Sequence, residues 1–104
     1  LIKENLIMPY ITQNKRAVLD KTIEELSFIL NDLKKDDSNN MEGNLNYIIT
    51  RLIRLVYGTS YREINDCVGM LQCVILEHYR KRAAPYEDQK ERENGLIETD
   101  IEKK

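Results

Sequence analysis

The chain has 104 residues, 41% of them hydrophobic and 33% charged, with only 4 Gly, 2 Pro and 2 Cys. This excludes collagen, low-complexity disorder and a disulfide scaffold, and it favours one small helical domain. Sixteen Lys and Arg stand against 18 Asp and Glu, for a formal charge of −2, so no global basic field exists to attract duplex nucleic acid or an anionic membrane.

In chain order, Leu1 to Ile7 precede Met8 and include the acid Glu4 with no continuous apolar stretch, so an upstream extension is expected here and not a secretory signal. No run of roughly 18 apolar residues occurs anywhere, and no membrane-spanning segment is expected. From Asn14 to Lys35 there is neither Gly nor Pro, and Leu19, Ile23, Leu26, Leu30 and Leu33 recur at steps of four and three. That is the apolar stripe of an amphipathic helix, widened by Val18 and Ile29. Asp20 is also placed to restart the helix as an N-cap, which leaves open one bent helix or two pieces.

Residues 36–43 are polar and turn-rich, and a loop is expected there. The second helix is expected from about Leu45, capped by Asn44, with Leu45, Ile48, Ile49, Leu52, Ile53 and Val56 as its apolar side and Gly58 as a left-handed stop. Ser60-Tyr61-Arg62-Glu63 has the spacing of a capping box. The third helix then carries Ile64, Cys67, Val68, Leu71, Val74, Ile75 and Tyr79, and a stop near Ala84 is expected because Pro85 disfavours helical geometry in its predecessor. Gly69, interior to that helix, is read as the mark of a closely approaching neighbour helix. Pro85 suits the first turn of a short fourth helix that Asn94-Gly95 ends.

The expected fold is therefore all-α: a small helical bundle of three main helices plus a short C-terminal helix. Residues 1–11 form an N-terminal extension, 12–95 a single helical domain and 96–104 a charged tail. So short a chain with such broad apolar sides is expected to bury part of them between copies, as a homo-oligomer.

Known chemistries find few footholds. Cys67 and Cys73 lie six residues apart, about 9 Å along one helix axis and on different sides of it, beyond disulfide reach. Two such thiols without a secretion signal point to a cytoplasmic location. His78 is the single histidine, and no Ser or Cys partners it in a recognisable triad. Three Cys and His side chains are too few for a structural zinc site, and no glycine-rich phosphate loop occurs. No cofactor is expected. Glu63-Ile64-Asn65-Asp66 resembles the ExxD half of the Mg²⁺ site of small all-α nucleotide pyrophosphohydrolases, but no ExxE precedes it. The suggestive polar feature is His78-Tyr79-Arg80-Lys81-Arg82. Cations at a helix C-terminus complement its dipole, while guanidinium forks beside Tyr79 and Tyr86 could also hold a phosphate-bearing anion, with Arg51, Arg54 and Arg62 adding charge.

From Met8 onward the chain resembles a family of short, functionally uncharacterised proteins encoded mainly by bacteriophages and prophages. The matching segments are Met8-Pro9-Tyr10-Ile11 with Arg16, then Glu42-Gly43-Asn44-Leu45-Asn46-Tyr47, and a longer stretch through Leu76-Glu77, Tyr79-Arg80, Ala84-Pro85-Tyr86-Glu87-Asp88 and Glu93-Asn94-Gly95. They span roughly residues 8 to 95. Two departures stand out: Leu96-Ile97 follows Gly95 where Asp-Val is common, and Lys81 replaces a usual Arg. The resemblance implies a phage-type accessory protein and favours Asn46, Tyr47, Glu77, Arg80, Tyr86 and Glu87 as functional residues.

Together with the cationic, phenol-bearing helix end, these give a ligand-binding set of Asn46, Tyr47, Arg51, Glu77, Tyr79, Arg80, Arg82, Tyr86 and Glu87. The expected function is a non-enzymatic, self-associating protein that binds a nucleotide-like anion, for example one that sequesters a host defence signal. Two alternatives are an interaction module or inhibitor acting on a host or virion protein, and a small Mg²⁺-dependent nucleotide hydrolase using Glu63, Asp66 and Glu77.

Overall fold

The structure is a computed structural model that describes residues 8–36 and 40–97. The expectations for the upstream extension and for residues 98–104 of the tail lie outside the described residues. Among the described residues all regular structure is helical: α1 (Gln13–Leu33), α2 (Met41–Val56), α3 (Tyr61–His78), a five-residue π-helical segment (Tyr79–Ala83) and α4 (Ala84–Asn94). The chain divides into two compact units, residues 1–68 and 69–104.

In the first unit, α1 is one continuous helix. Asp20 lies in its interior and begins no second piece. Thr12 precedes α1 in extended geometry, without a side-chain cap bond. The incoming segment is held instead by Arg16, whose Nε donates to the Ile11 carbonyl at 2.8 Å. Leu26 and Leu30 are half-buried, whereas Leu19 and Ile23 on the same stripe stay largely exposed.

α2 begins four residues earlier than the sequence expectation. Asn40, not Asn44, is its cap, with Oδ1 accepting from the Gly43 N–H at 3.0 Å. The earlier start is favoured because Met41 falls in phase with Leu45, Ile48 and Leu52, so one more turn adds an apolar side chain to the same side. Asn44 is thereby drawn into the helix, where its Nδ2 is buried with no hydrogen-bond partner.

The turn between α2 and α3 also differs from expectation. Gly95 is the one described residue with positive φ, at 94°, so Gly58 is not a left-handed stop. At Gly58 space matters instead: a Cβ there would displace the Glu63 carboxylate, the far end of a flexible side chain. That carboxylate reaches back over the turn, accepting from the Gly58 N–H at 2.6 Å and from the Ser60 hydroxyl at 2.9 Å. Ser60 Oγ accepts in turn from the Glu63 N–H at 3.2 Å. The hydroxyl half of the capping box is as expected, while its carboxylate serves Gly58 in place of the N-cap amide.

In the second unit the helical backbone runs on through Pro85, where a stop was expected. Pro85 lacks an N–H, and its ring would clash with a carbonyl four residues back in an α-helix. The π segment resolves the conflict by widening one turn, so that the Ala84 N–H bonds to the Tyr79 carbonyl, five residues back. Pro85 then occupies the first turn of α4. The helix closes as expected at Gly95, whose N–H donates to the Glu91 carbonyl at 2.8 Å. Nothing lies within 4 Å of where a Cβ on Gly69 would sit. The close helix approach expected there is absent among the described residues.

Candidate functional site

The expected ligand-binding residues fall into two groups, one per unit. On α2, the exposed Asn46, Tyr47 and Arg51 and the half-buried Thr50 share one side because they are spaced by three or four residues. The Thr50 hydroxyl donates to Asn46 Oδ1 at 3.3 Å, and Arg51 Nη1 donates to the Tyr47 hydroxyl at 3.2 Å. The guanidinium also lies 5.9 Å from the centre of the Tyr47 ring, a separation at which the ring's electron-rich face attracts a cation.

The second group surrounds the π segment. Arg80 Nη2 straddles both oxygens of Glu77, at 3.1 and 3.2 Å. Tyr79 donates its hydroxyl proton to Glu87 in a short hydrogen bond eight residues along the chain. In an uninterrupted α-helix, residues eight apart are rotated by about 80°. The extra residue held by the π turn reduces this to about 20°, which brings the two side chains onto one side. That hydrogen bond to the Glu87 carboxylate, reinforced by its charge, holds the Tyr79 phenol above its usual value of 10.0. Tyr86 is covered by the Lys90 ammonium, 5.6 Å from the ring centre, and the same ammonium reaches Glu93 at 3.4 Å.

Much of the cationic rim is thus matched by the chain's own carboxylates and rings. Lys81 and Arg82 have no ion pair among the described residues, while the Glu87 and Asp88 carboxylates both act on Tyr79 of the same turn.

The carboxylates considered for Mg²⁺ are engaged elsewhere. Glu63 serves the turn at Gly58 and Ser60, and the Gly58 N–H, with the Ser60 hydroxyl second, pulls its carboxyl below the usual 4.5. Asp66 stands 4.0 Å from Arg62. Among the described residues no three His, Cys, Asp or Glu side chains gather where a metal could be held. Both cysteines are free thiols: Cys67 is buried and Cys73 half-buried.

Two concave features lie in the first unit. A mostly apolar cleft of about 380 Å³ opens between the end of α2 and the start of α3, walled by Ile53, Tyr57, Ile64 and Val68 over Cys67, with Arg54 and Glu63 on its rim. A shallower one of about 290 Å³ lies between Pro9–Ile11 and the Leu19–Ile23 turn of α1.

The largest feature was not in the expected site at all. Cys67, at 7% exposure, is the one buried hydrophobic side chain among the described residues. Along α2, Leu45, Ile49, Leu52, Leu55 and Val56 remain exposed. The signal for this was present in the apolar periodicity, part of which is expected from the sequence to be buried between copies.

Residues 8–97 match the model of a protein family described as Domain of unknown function (DUF6899), and the chain belongs to that family. No curated protein and no solved structure matches it.

Proposed function

We propose that this member of the DUF6899 family is a non-enzymatic, self-associating helical module that works in the cytoplasm through contacts between proteins. It would be an accessory protein of the type its resemblance to short phage and prophage proteins implies. The observation that carries this reading is the near absence of a core: one buried hydrophobic residue among the described residues, against exposed Leu, Ile and Val on each of α1, α2 and α3. Apolar patches beyond a few hundred Å² are uncommon on soluble monomers and mark interaction surfaces. A helical body of about 75 residues, the length left once tails and loop are set aside, gains little stability from a single core, and association is one of the ways small domains make up the difference.

Light scattering coupled to size exclusion at micromolar concentration tests the reading. A mass of two or more chains is expected. A cooperatively folded monomer overturns it.

A second reading, the nucleotide-like anion, is favoured by Lys81 and Arg82, which carry no ion pair among the described residues. A phosphate group would find two cations there, in competition with the Glu87 carboxylate that already accepts from Tyr79. Calorimetry against linear and cyclic nucleotides tests this: binding that weakens in Arg82→Ala supports it. No heat with any of them leaves only protein partners.

A further inference from the structure

We infer that a second copy of the chain docks on the α2 seam formed by Leu45, Ile49, Leu52 and Val56, so that α2 pairs with α2 about a twofold axis. The inference rests on the self-association reading and deepens it by naming the surface and its occupant.

These four residues follow one another at steps of four, three and four, the spacing that keeps side chains in one narrow stripe facing a neighbouring helix. Their exposures rise along the helix from 42% at Leu45 to 75% at Val56, and Leu55 on the edge of the stripe is 70% exposed. The half-buried apolar side chains of α2, Met41, Ile48 and Ile53, are different residues. The seam is therefore surplus to what its own unit covers.

Self-complementarity favours a second copy as the occupant. Two seams laid antiparallel form layers of Leu45 against Val56 and Ile49 against Leu52, so every layer sets a Leu against a β-branched side chain of the other copy. Volumes are then balanced throughout, as close packing requires. The seam contains no charge between Leu45 and Val56, and Arg51 and Arg54 lie on the other side of the helix. Nothing in it selects an acidic or basic partner, and nothing repels a like copy.

The area is adequate. The four seam residues and Leu55 present on the order of 400 Å² of apolar surface per copy. Doubled and surrounded by an ordinary polar rim, this reaches the lower end of the roughly 1,200–2,000 Å² that stable interfaces bury.

Sedimentation equilibrium of the full chain reads the proposal directly, with Val56→Lys, Ile49→Ala and, on the exposed side of α1, Val18→Lys. Val56 touches little within the protomer, so far-UV circular dichroism is expected to stay constant. Wild type and Val18→Lys should dimerise alike. Val56→Lys should raise the dissociation constant roughly tenfold or more, and Ile49→Ala by a smaller factor. If Val56→Lys loses helix, Ile49→Ala decides alone. Seam variants that dimerise as tightly as wild type overturn this inference while leaving self-association through another face. A monomeric wild type at 100 micromolar or so removes both.

Discussion

Helices α2 and α4 meet the same requirement, a use for every side chain, in opposite ways. α4 is polar on all sides: Lys90 is engaged by both Glu93 and the Tyr86 ring, and Glu87 accepts from Tyr79. Its interactions are local, within eight residues, and water can replace any of them. α2 has an apolar arc that water cannot satisfy and that the protomer only half covers. A helix stabilised by short-range polar pairs is complete as it stands, whereas one stabilised by burial is only as complete as its neighbours. The partner proposed above is therefore assigned to α2 and not to α4, although composition made the charged end of the molecule more conspicuous.

Truncation separates the two most strongly. Ile48→Ala, at a half-buried position on α2, should lower unfolding free energy by about 1–2 kcal/mol, less than the cost at a fully buried site. Lys90→Ala on α4 should change it by no more than about 0.5 kcal/mol, because exposed ion pairs contribute little. Urea denaturation of both variants checks this. Equal effects would mean that the apolar arc contributes no more than a surface ion pair.

Gly69 gives the next largest effect. With open space around its Cβ position and helical backbone on both sides, Gly69→Ala should raise stability by about 1 kcal/mol, the helix-propensity difference between the two residues. Thermal unfolding measures it. A loss of stability, confined to concentrations at which the chain associates, would instead reveal a second copy packed against that glycine, and the demand for a partner would then extend beyond α2.

The helices themselves were legible because apolar residues at steps of three and four leave few alternatives, and the ending at Asn94-Gly95 followed from the left-handed geometry only glycine adopts readily. The start of α2 was not, since Asn40 and Asn44 are equally good caps and only the phase of Met41 distinguishes them. Within the candidate site, Tyr47–Arg51 and Glu77–Arg80 could be anticipated from their spacing. Tyr79–Glu87 could not, because a separation of eight meets on one side only if a π turn intervenes, and Pro85 is equally compatible with a helix stop. Gly58 illustrates the same difficulty: glycine signals freedom of conformation or of space, and the sequence does not distinguish them.

The π turn can be tested through the phenol it positions. Pro85→Ala restores an N–H and removes the ring clash, so the segment should relax to α-helix and rotate Glu87 away from Tyr79. The Tyr79 ionisation, held above 10.0 by Glu87, should then fall toward the ordinary tyrosine range in an ultraviolet pH titration. Glu87→Gln should lower it too, without altering the backbone. Because this phenol is raised, its contribution to stability is complete below pH 10 and is lost as pH rises through the folded value. A Tyr79 ionisation unchanged in both variants would show that α4 does not depend on this pairing.

The smallest effect belongs to the turn that ends α2. Glu63 titrates below 4.5 because the Gly58 N–H and the Ser60 hydroxyl hold its charged form. The unfolded chain binds this proton more readily, so the linked stabilisation is fully present above about pH 4.5 and disappears as pH falls through the folded value. Acid unfolding followed by circular dichroism should therefore show a shallower decline below pH 4.5 in Glu63→Gln than in wild type. Gly58→Ala should have the same signature, since its Cβ displaces the carboxylate from both donors. Glu63 is only half-buried, which keeps the difference slight, and salt should leave most of it intact, because hydrogen bonds to fixed donors are screened less than distant charges. A decline identical in all three proteins would mean that α2 is terminated by its apolar packing alone, which would make the contrast with the locally paired α4 sharper still.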